Sequence, residues 1–203
     1  MPTRAAPSDP TGHHDWFSRS YVDDWIDQDA VGGSRRQELE ALVGELGLPR
    51  DEPRRVLDVG GGWGPVTRCL LDRYPMAMVV LQDFSGPMLE RAAAHLAGEL
   101  TRVRLVQADL RDAAWLDDVG EPFDGVVSSL AIHNVRDPAV IERVYRDLYG
   151  VMRPGSVLAD LDLLEGHSVA ERRSWLDEAG FASVTVHAAA GAFGAALFRA
   201  RRP

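Results

Sequence analysis

Apolar runs alternate with helical patterns from about residue 54 onward. Each run is short enough for a buried strand, and the stretches between runs repeat their apolar residues every three or four positions, as amphipathic helices do. This alternation is typical of right-handed βαβ units that build a parallel sheet. The predicted strands are Arg54–Val59, Met78–Gln82, Val103–Gln107, Phe123–Ser128 and Ser156–Asp162, and the predicted helices are Pro65–Arg73, Pro87–Ala97 and Pro138–Met152, with a weaker turn over Ala113–Asp118.

The pattern changes after the fifth predicted strand. Ser168 is expected to begin a helix that runs to about Ala179, and Gly180 ends it. Two further strands are predicted, Ser183–His187 and about Gly194–Arg201. Because the segment between them is short, these two strands should pair antiparallel.

A tail and two helices are predicted before this alternation. Residues 1–12 are rich in Pro, Thr, Ser and Gly and are expected to form a loose tail. Three aromatic residues of the first helix recur every four positions, which places them on one face. The helices are predicted from His14 to about Gln28 and from Ser34 to about Gly47, and the aromatic residues are Phe17, Tyr21 and Trp25.

The composition and charge chiefly exclude several classes of partner and chemistry. With 203 residues, 45% of them hydrophobic and 26% charged, the chain suits one globular domain with its own core. The formal charge is −9, and all 22 basic residues are Arg. Because no basic stripe is present, nucleic acid is not an expected partner, and the lack of lysine excludes a Schiff base and a P-loop. Abundant Ala, Arg and Gly favour a bacterial source.

Neither a membrane span nor a secretory signal is recognisable in the sequence. No run of about 18 apolar residues occurs, and the beginning of the chain lacks the apolar core of a signal peptide. We therefore expect a soluble, cytoplasmic protein with no membrane partner. The single cysteine, Cys69, lies on an apolar helix face and is expected to be a buried structural thiol.

Four glycines occupy five positions directly after the first predicted strand, in the stretch VLDVGGGWGPVT. Glycine at a strand-to-helix turn lets the backbone adopt positive φ and approach a ligand closely, and parallel sheets bind nucleotides at this turn. A tight turn without a ligand is the alternative. The dinucleotide pattern GxGxxG would need its third glycine at Pro65, which counts against NAD. The pattern present is DxGxGxG, formed by Asp58, Gly60, Gly62 and Gly64.

Acidic residues end the next two predicted strands. Asp83 follows the second strand, where its carboxylate can accept hydrogen bonds from both hydroxyls of a ribose. Asp109 follows the third strand and can address an adenine amino group. Either residue would alternatively cap the helix or turn that comes after it.

Five motifs together resemble the class I S-adenosylmethionine-dependent methyltransferases in order and spacing. They are VLDVGGGWG, VVLQDFSGPMLERAAA, VRLVQADL, FDGVVSSLAIHNV and LYGVMRPGSVLADLDL, and the resemblance covers the chain from about Arg54 to its end. It implies an α/β, Rossmann-like, doubly wound sheet of seven strands in the order 3-2-1-4-5-7-6 with strand 7 antiparallel. It also implies S-adenosyl-L-methionine as the cofactor and S-adenosyl-L-homocysteine as the product.

The resemblance assigns roles to individual residues. Gly60 and Gly62 would border the methionine moiety, with Ser128 beside its amino group, and Asp83 would hold the ribose. Similar small methyltransferases often carry a tyrosine of a lid segment near the cofactor carboxylate, which predicts this role for Tyr21. The residues expected around the adenosine are Phe84, Met88, Asp109 and Leu110.

The expected organisation is one globular unit in three parts. Residues 1–12 form the tail, residues 13–50 a helical cap over the pocket, and residues 51–203 the methyltransferase domain. The NPPY element of many methyltransferases that act on amino groups of nucleic-acid bases or proteins is missing, since SSLAIHN stands in that place. A small-molecule acceptor is therefore expected, and the protein as a monomer or homodimer.

His133 follows the fourth predicted strand and is the candidate for contact with the acceptor. An unperturbed imidazole titrates at about pH 6.5, so it could take a proton from a hydroxyl acceptor; a residue that only shapes the pocket is the alternative. No metal is expected, because Asp160, Asp162 and Glu165 are better explained by solvation, capping or the pocket floor. A protein of this fold that binds the cofactor without methylating is the second functional hypothesis, and an NAD-dependent oxidoreductase is the third.

Overall fold

The computed structural model describes residues 14–31, 35–120, 122–188 and 194–203. Its centre is a seven-stranded sheet in the order β3-β2-β1-β4-β5-β7-β6. Strands β1 to β5 are parallel to one another, and β7 runs antiparallel between β5 and β6. The strands are β1 (Arg54–Val59), β2 (Ala77–Asp83), β3 (Val103–Gln107), β4 (Phe123–Ser129), β5 (Met152–Leu163), β6 (Ala182–Ala188) and β7 (Ala195–Arg201).

Helices cover both faces of the sheet. They are α1 (Arg19–Val31), α2 (Arg35–Gly44), α3 (Pro65–Arg73), α4 (Gly86–His95), α5 (Pro138–Val151) and α6 (Val169–Ala179), with 3₁₀ turns at Ala97–Glu99 and Ile132–Val135. None of the helices in the described ranges is both long and apolar enough to cross a bilayer.

The central strands β1, β2 and β4 are largely buried on both faces, as the continuous apolar runs of a parallel sheet require. One hydrophobic cluster lies under α5 and α6 and contains Tyr145 and Phe198, both fully buried. The other lies under α2, α3 and α4 and contains Leu42, Leu70 and Leu81. These two layers hold the sheet rigid and leave its carboxyl edge for loops.

The predicted strand order and the antiparallel pairing of the last two strands are confirmed. The first helix is five residues shorter at its start than predicted, because it begins at Arg19 instead of His14. The predicted turn over Ala113–Asp118 is confirmed. Separate turns occupy this stretch, and Trp115 packs into the core while its indole N–H donates to Asp147 at 2.9 Å. The predicted cap residue Ser34 lies outside the described residues.

Candidate functional site

A cleft opens at the carboxyl ends of β1, β2 and β4, where the winding of the sheet changes direction. Open parallel sheets bind ligands at this switch point because the loops after the strands form a crevice there. The cleft encloses about 1060 Å³, including the space at its open mouth. Its lining residues are His14, Trp16, Trp25, Arg35, 60–63, Pro65, Val66, 82–84, Met88, 109–111, 129–131 and 134–136.

The glycine-rich loop after β1 is held against β2 and against the segment after β4. The N–H of Gly61 donates to the Gln82 carbonyl at 2.9 Å, and the N–H of Gly60 donates to the Gln82 side-chain oxygen at 3.0 Å. Gly60 has a φ of +61°, and a Cβ there would lie 2.2 Å from the Cβ of Ala131. Only glycine permits this approach, so the loop backbone itself forms part of the cleft wall.

Asp83 ends β2 and is tied to the same loop. Its Oδ2 accepts the Gly62 N–H at 2.9 Å, and its Oδ1 accepts the Ser85 N–H at 2.8 Å. The residue is 6% exposed, and burial raises the pKa of its carboxyl to about 6, although N–H donors from Ser85, Gly62 and Phe84 oppose part of the rise. Each carboxylate oxygen has a second lone pair, which can accept a hydroxyl group of a ligand.

Four residues with predicted cofactor contacts do not line the cleft, namely Tyr21 of the cap together with Asp58, Gly64 and Ser128. Asp58 is fully buried and accepts the Thr67 hydroxyl at 2.6 Å; burial raises the pKa of its carboxyl to about 7, while that hydrogen bond opposes the rise. Gly64 begins α3 with a φ of +93°, and a Cβ there would lie 2.8 Å from Leu96. Ser128 is fully buried, and its hydroxyl has no hydrogen-bond partner within the described residues. Cofactor contacts of these residues stay predictions.

The residues expected around an adenosine are together in the cleft wall. Phe84, Met88, Asp109 and Leu110 all line it. Asp109 is paired with Arg111, whose Nη2 lies 2.9 Å from Asp109 Oδ2 and whose guanidinium carbon lies 5.7 Å from the centre of the Phe84 ring. Sequence reasoning missed Arg111, although it stands two positions after the predicted adenine contact.

The cap lies over the β2 side of the cleft. The hydroxyl of Ser85 donates to the Trp16 carbonyl, and the Phe17 and Phe84 rings pack edge to face at 5.6 Å. Two ion pairs join α1 to α4, Arg19 with Glu90 at 2.7 Å and Arg91 with Asp23 at 2.5 Å. The cap is therefore anchored by its backbone, its aromatic residues and its charges.

The aromatic residues predicted on one face of the cap differ in their contacts with the cleft. Trp25 lines the cleft, whereas Tyr21 is hydrogen-bonded to His14, and it is His14 that lines the cleft. The role of Tyr21 at the cofactor carboxylate stays a prediction. Trp16, which was not predicted as a site residue, lines the cleft as well. The centre of its ring lies 5.5 Å from the centre of the Trp25 ring.

Asp29 at the end of α1 connects the cap to the glycine-rich loop. Its Oδ2 accepts the indole N–H of Trp63 at 3.2 Å, and its Oδ1 accepts the Nε–H of Arg35 at 3.1 Å. The Nη2 of Arg35 donates to the Ser129 hydroxyl at 3.2 Å. Arg35 and Trp63 both line the cleft and were missed, although Trp63 stands within the glycine-rich motif itself.

His133 lies in the 3₁₀ turn after β4, with only 8% of its surface exposed. Its Nδ1 is 2.6 Å from Asp162 Oδ1, and its backbone N–H donates to Asp162 Oδ2 at 2.7 Å. His133 is not among the lining residues, whereas Ala131 and Asn134 on either side of it are. The structure thus brings His133 next to the cleft and directs its Nδ1 toward β5.

Behind His133 lies a buried polar cluster of Asp160, Asp162, Tyr145 and Arg172. Nη1 of Arg172 donates to Asp162 Oδ2 at 3.0 Å and to the Tyr145 hydroxyl oxygen at 2.9 Å, and the Tyr145 hydroxyl donates to Asp160 Oδ2 at 2.8 Å. Burial, and next the charge of Asp162, raise the pKa of the Asp160 carboxyl to about 7, while Arg172 opposes the rise. Within the described ranges, no group of three or more His, Cys, Asp and Glu residues is placed to hold a metal ion.

The chain was compared with known proteins. A family model described as a methyltransferase domain matches residues 56–155. A malonyl-(acyl-carrier protein) O-methyltransferase of Halorhodospira halophila is 37% identical over 131 residues, which are 64% of this chain and 42% of that protein. A trans-aconitate 2-methyltransferase of Rhodopseudomonas palustris is 36% identical over 112 residues, which are 55% of this chain and 40% of that protein. The matches thus span less than half the length of these two relatives.

Among solved structures, an O-methyltransferase family protein from Burkholderia thailandensis superimposes with a TM-score of 0.72 at 17% identity. The superposition covers 91% of this chain and 59% of that one. At this identity the likeness shows a shared fold, and it includes most of the sheet and helices described above.

Proposed function

Because the chain belongs to the class I S-adenosylmethionine-dependent methyltransferase family, we propose that it transfers the methyl group of S-adenosylmethionine to a small-molecule acceptor. The observation that carries the proposal is the contact between the glycine-rich loop and Asp83. The Gly62 N–H and the Asp83 carboxylate meet at 2.9 Å in one wall of the cleft. The glycine backbone, which has no side chain in the way of a ligand, therefore lies next to a carboxylate that can accept hydrogen bonds from ribose hydroxyls. An adenosine with a methionine extension requires both groups.

The residues present fit this cofactor. Gly62 has a φ of +54°, and a Cβ there would meet only Met88 Sδ, at 3.8 Å, so the backbone is open toward the cleft. Asp83 would accept the ribose hydroxyls, and the adenosine would lie among the residues around Phe84, Met88 and Leu110. Gly60 and Gly62 would border the methionine moiety.

Two nitrogen-bearing side chains are candidates for contact with the methionine carboxylate. Arg35 lines the cleft and contacts Ser129, the residue after Ser128. Its guanidinium has the planar donor geometry that suits a carboxylate. His14, which the predicted carboxylate contact Tyr21 holds by a hydrogen bond, lies in the same cleft wall.

The cofactor, when bound, supplies a methyl group on a positively charged sulfur, which is a good leaving group. The chain therefore has to hold the acceptor in line with that methyl group, because orientation alone supplies much of the rate of such a displacement. The cap, through Trp16 and Trp25, would exclude water from the cleft. A base is needed only where the acceptor atom carries a proton that must leave.

His133 has two possible roles in this reaction. Because an Asp162 carboxylate oxygen accepts from Nδ1, the proton of a neutral imidazole lies on Nδ1 and Nε2 is left to accept a proton from an acceptor. Alternatively, the histidine only holds the turn that carries Ala131 and Asn134, and its burial supports this second role. Replacement His133→Ala separates the two, since unchanged turnover and an unchanged pH–rate profile would contradict the role of a base.

Support for a small-molecule acceptor comes from one of the curated relatives, which is named for trans-aconitate. The relative named for malonyl-(acyl-carrier protein) indicates that a carrier-bound acceptor should be included in any screen. Formation of S-adenosylhomocysteine from S-adenosylmethionine with a panel of acceptors is the experiment that tests the proposal.

The controls of this experiment separate the functional hypotheses. Asp83→Asn should abolish most of the turnover, while the exposed Asp177→Asn on α6 should leave it unchanged. Tight binding of S-adenosylmethionine without S-adenosylhomocysteine from any acceptor would favour a cofactor-binding protein that does not methylate. Binding of NADH in place of S-adenosylmethionine would overturn both.

A further inference from the structure

Within the described ranges, three arginines line the cleft, and two of them already have carboxylate partners. Arg35 is paired with Asp29 at 3.1 Å, and Arg111 is paired with Asp109 at 2.9 Å. The third, Arg136, has no ion pair and no side-chain hydrogen bond to any other described residue. An anion that enters the cleft can therefore bind Arg136 without breaking an existing pair.

The carboxylate next to Arg136 in the sequence is occupied. Asp137 is the N-cap of α5, and its Oδ1 accepts the Ala139 N–H at 2.9 Å. Arg143, on the first turns of α5, donates to the Leu110 carbonyl. These two neighbouring side chains are thus bonded to backbone groups, and the Arg136 guanidinium is left to solvent and to the cleft.

The backbone of Arg136 has an unusual conformation. Its φ is +65°, and its N–H donates to the His133 carbonyl at 3.1 Å, which closes the 3₁₀ turn. Leu130, before the same turn, has a φ of +54°. A left-handed conformation is unfavourable for residues with a Cβ and is found preferentially at functional sites. This turn, bracketed by two such residues, carries the part of the cleft wall that follows β4.

We propose that Arg136 binds a carboxylate group of the methyl acceptor, so that the substrates of this enzyme are small carboxylic acids. The inference rests on the proposed methyltransferase function and adds the substrate class to it. A guanidinium matches a carboxylate with two parallel N–H···O bonds, which are stronger than neutral hydrogen bonds. Arg35 keeps its pair with Asp29 and its contact with Ser129 in this arrangement.

The test uses pairs of acids and amides of equal shape: benzoate with benzamide, cinnamate with cinnamamide, and succinate with succinamide. Binding to the full chain saturated with S-adenosylhomocysteine is measured by calorimetry and by the fluorescence of Trp16, Trp25 and Trp63, which line the same cleft. The ionic strength is kept low, because salt screens exposed charges. We expect at least one acid to bind roughly tenfold or more tightly than its amide.

Two variants assign this selectivity to its residue. Arg136→Gln should remove the preference for the acid and leave the affinity for S-adenosylhomocysteine within about twofold. Arg173→Gln, an exposed arginine of α6 that does not line the cleft, should change neither. The proposal is overturned if no acid binds better than its amide, if Arg136→Gln keeps the preference, or if both variants lose it equally.

Failure of the proposed function has a different signature. It would appear as absence of S-adenosylhomocysteine binding in the wild-type protein, before any acid is added. The acid and amide titrations are then repeated on the protein alone, so that the result for Arg136 does not depend on the cofactor.

Discussion

The Nδ1 atom of His133 lies 2.6 Å from Oδ1 of Asp162, while Oδ2 of the same carboxylate accepts two fixed donors, the His133 backbone N–H at 2.7 Å and Nη1 of Arg172 at 3.0 Å. One buried carboxylate therefore orients the imidazole, holds the turn beside the cleft and neutralises a buried guanidinium. Its two oxygens contact different donors: Oδ1 contacts the imidazole, and Oδ2 contacts the backbone N–H and the guanidinium. The consequence of an amide substitution is therefore predictable.

Asp162→Asn should reverse the tautomer of His133. The amide oxygen must stay at the Oδ2 position to meet its two donors, so the amide NH₂ faces Nδ1 and forces the imidazole proton to Nε2. We expect the switch in nitrogen-15 NMR spectra of the imidazole and, if His133 is the base, a fall in turnover of roughly tenfold or more. A switched tautomer with unchanged turnover would exclude that role. Asp177→Asn on α6 serves as the control.

Cofactor affinity should depend on pH through Asp83. Burial raises the pKa of this carboxyl to about 6, so below that pH the unliganded protein carries it protonated and the ribose hydroxyls lose an ionised acceptor. We expect the affinity for S-adenosylmethionine to be constant above about pH 7 and to fall by up to roughly tenfold per pH unit below about pH 6. Calorimetry from pH 5 to pH 8 measures it. Asp83→Asn should bind weakly with a flat pH profile; a persisting slope would assign the titration to another group.

Gly60→Ala should disturb the cleft wall for two separable reasons. The new methyl group would lie 2.2 Å from the Cβ of Ala131, and the residue would have to keep a φ of +61°. Overpacking costs about 1–3 kcal/mol, and a left-handed conformation of a non-glycine residue about 1–2 kcal/mol. The double variant with Ala131→Gly should regain the first part in urea denaturation and in cofactor affinity. If it regains nothing, the close contact between the two segments is not the cause.

Arg172→Met should destabilise the fold by about 3–5 kcal/mol, because it leaves Asp160 and Asp162 buried without their cation. The adjacent Arg173 is exposed and pairs only with Asp177 at 3.8 Å among the described residues, so Arg173→Met should stay within about 0.5 kcal/mol of the wild type. Denaturant midpoints of the two variants provide the comparison. Equal midpoints would mean that the buried cluster contributes little to the free energy of unfolding.

Elements with a strong local signal were predictable from the sequence. The bounds of β1 at Arg54–Val59 and of α3 at Pro65–Arg73 agree with the structure, because an apolar run and a proline at the first helical position specify them locally. The burial of Trp115 within its predicted turn was not predictable from the local sequence, since the indole is placed by its hydrogen bond to Asp147, 32 residues away.

The amino-acid sequence by itself determined the fold class, the strand order through its family resemblance, and the end of each strand at which polar residues gather. Gly60, Gly62, Asp83 and Asp109 line the cleft, and the sequence indicated this because they stand next to strand ends. The tertiary structure alone decided that Asp29 joins Trp63 to Arg35, that Asp162 orients His133, and that Arg136 lines the cleft without a side-chain partner among the described residues. These relationships join residues far apart in the chain or depend on how distant segments pack, and no local periodicity records which side chains folding brings together.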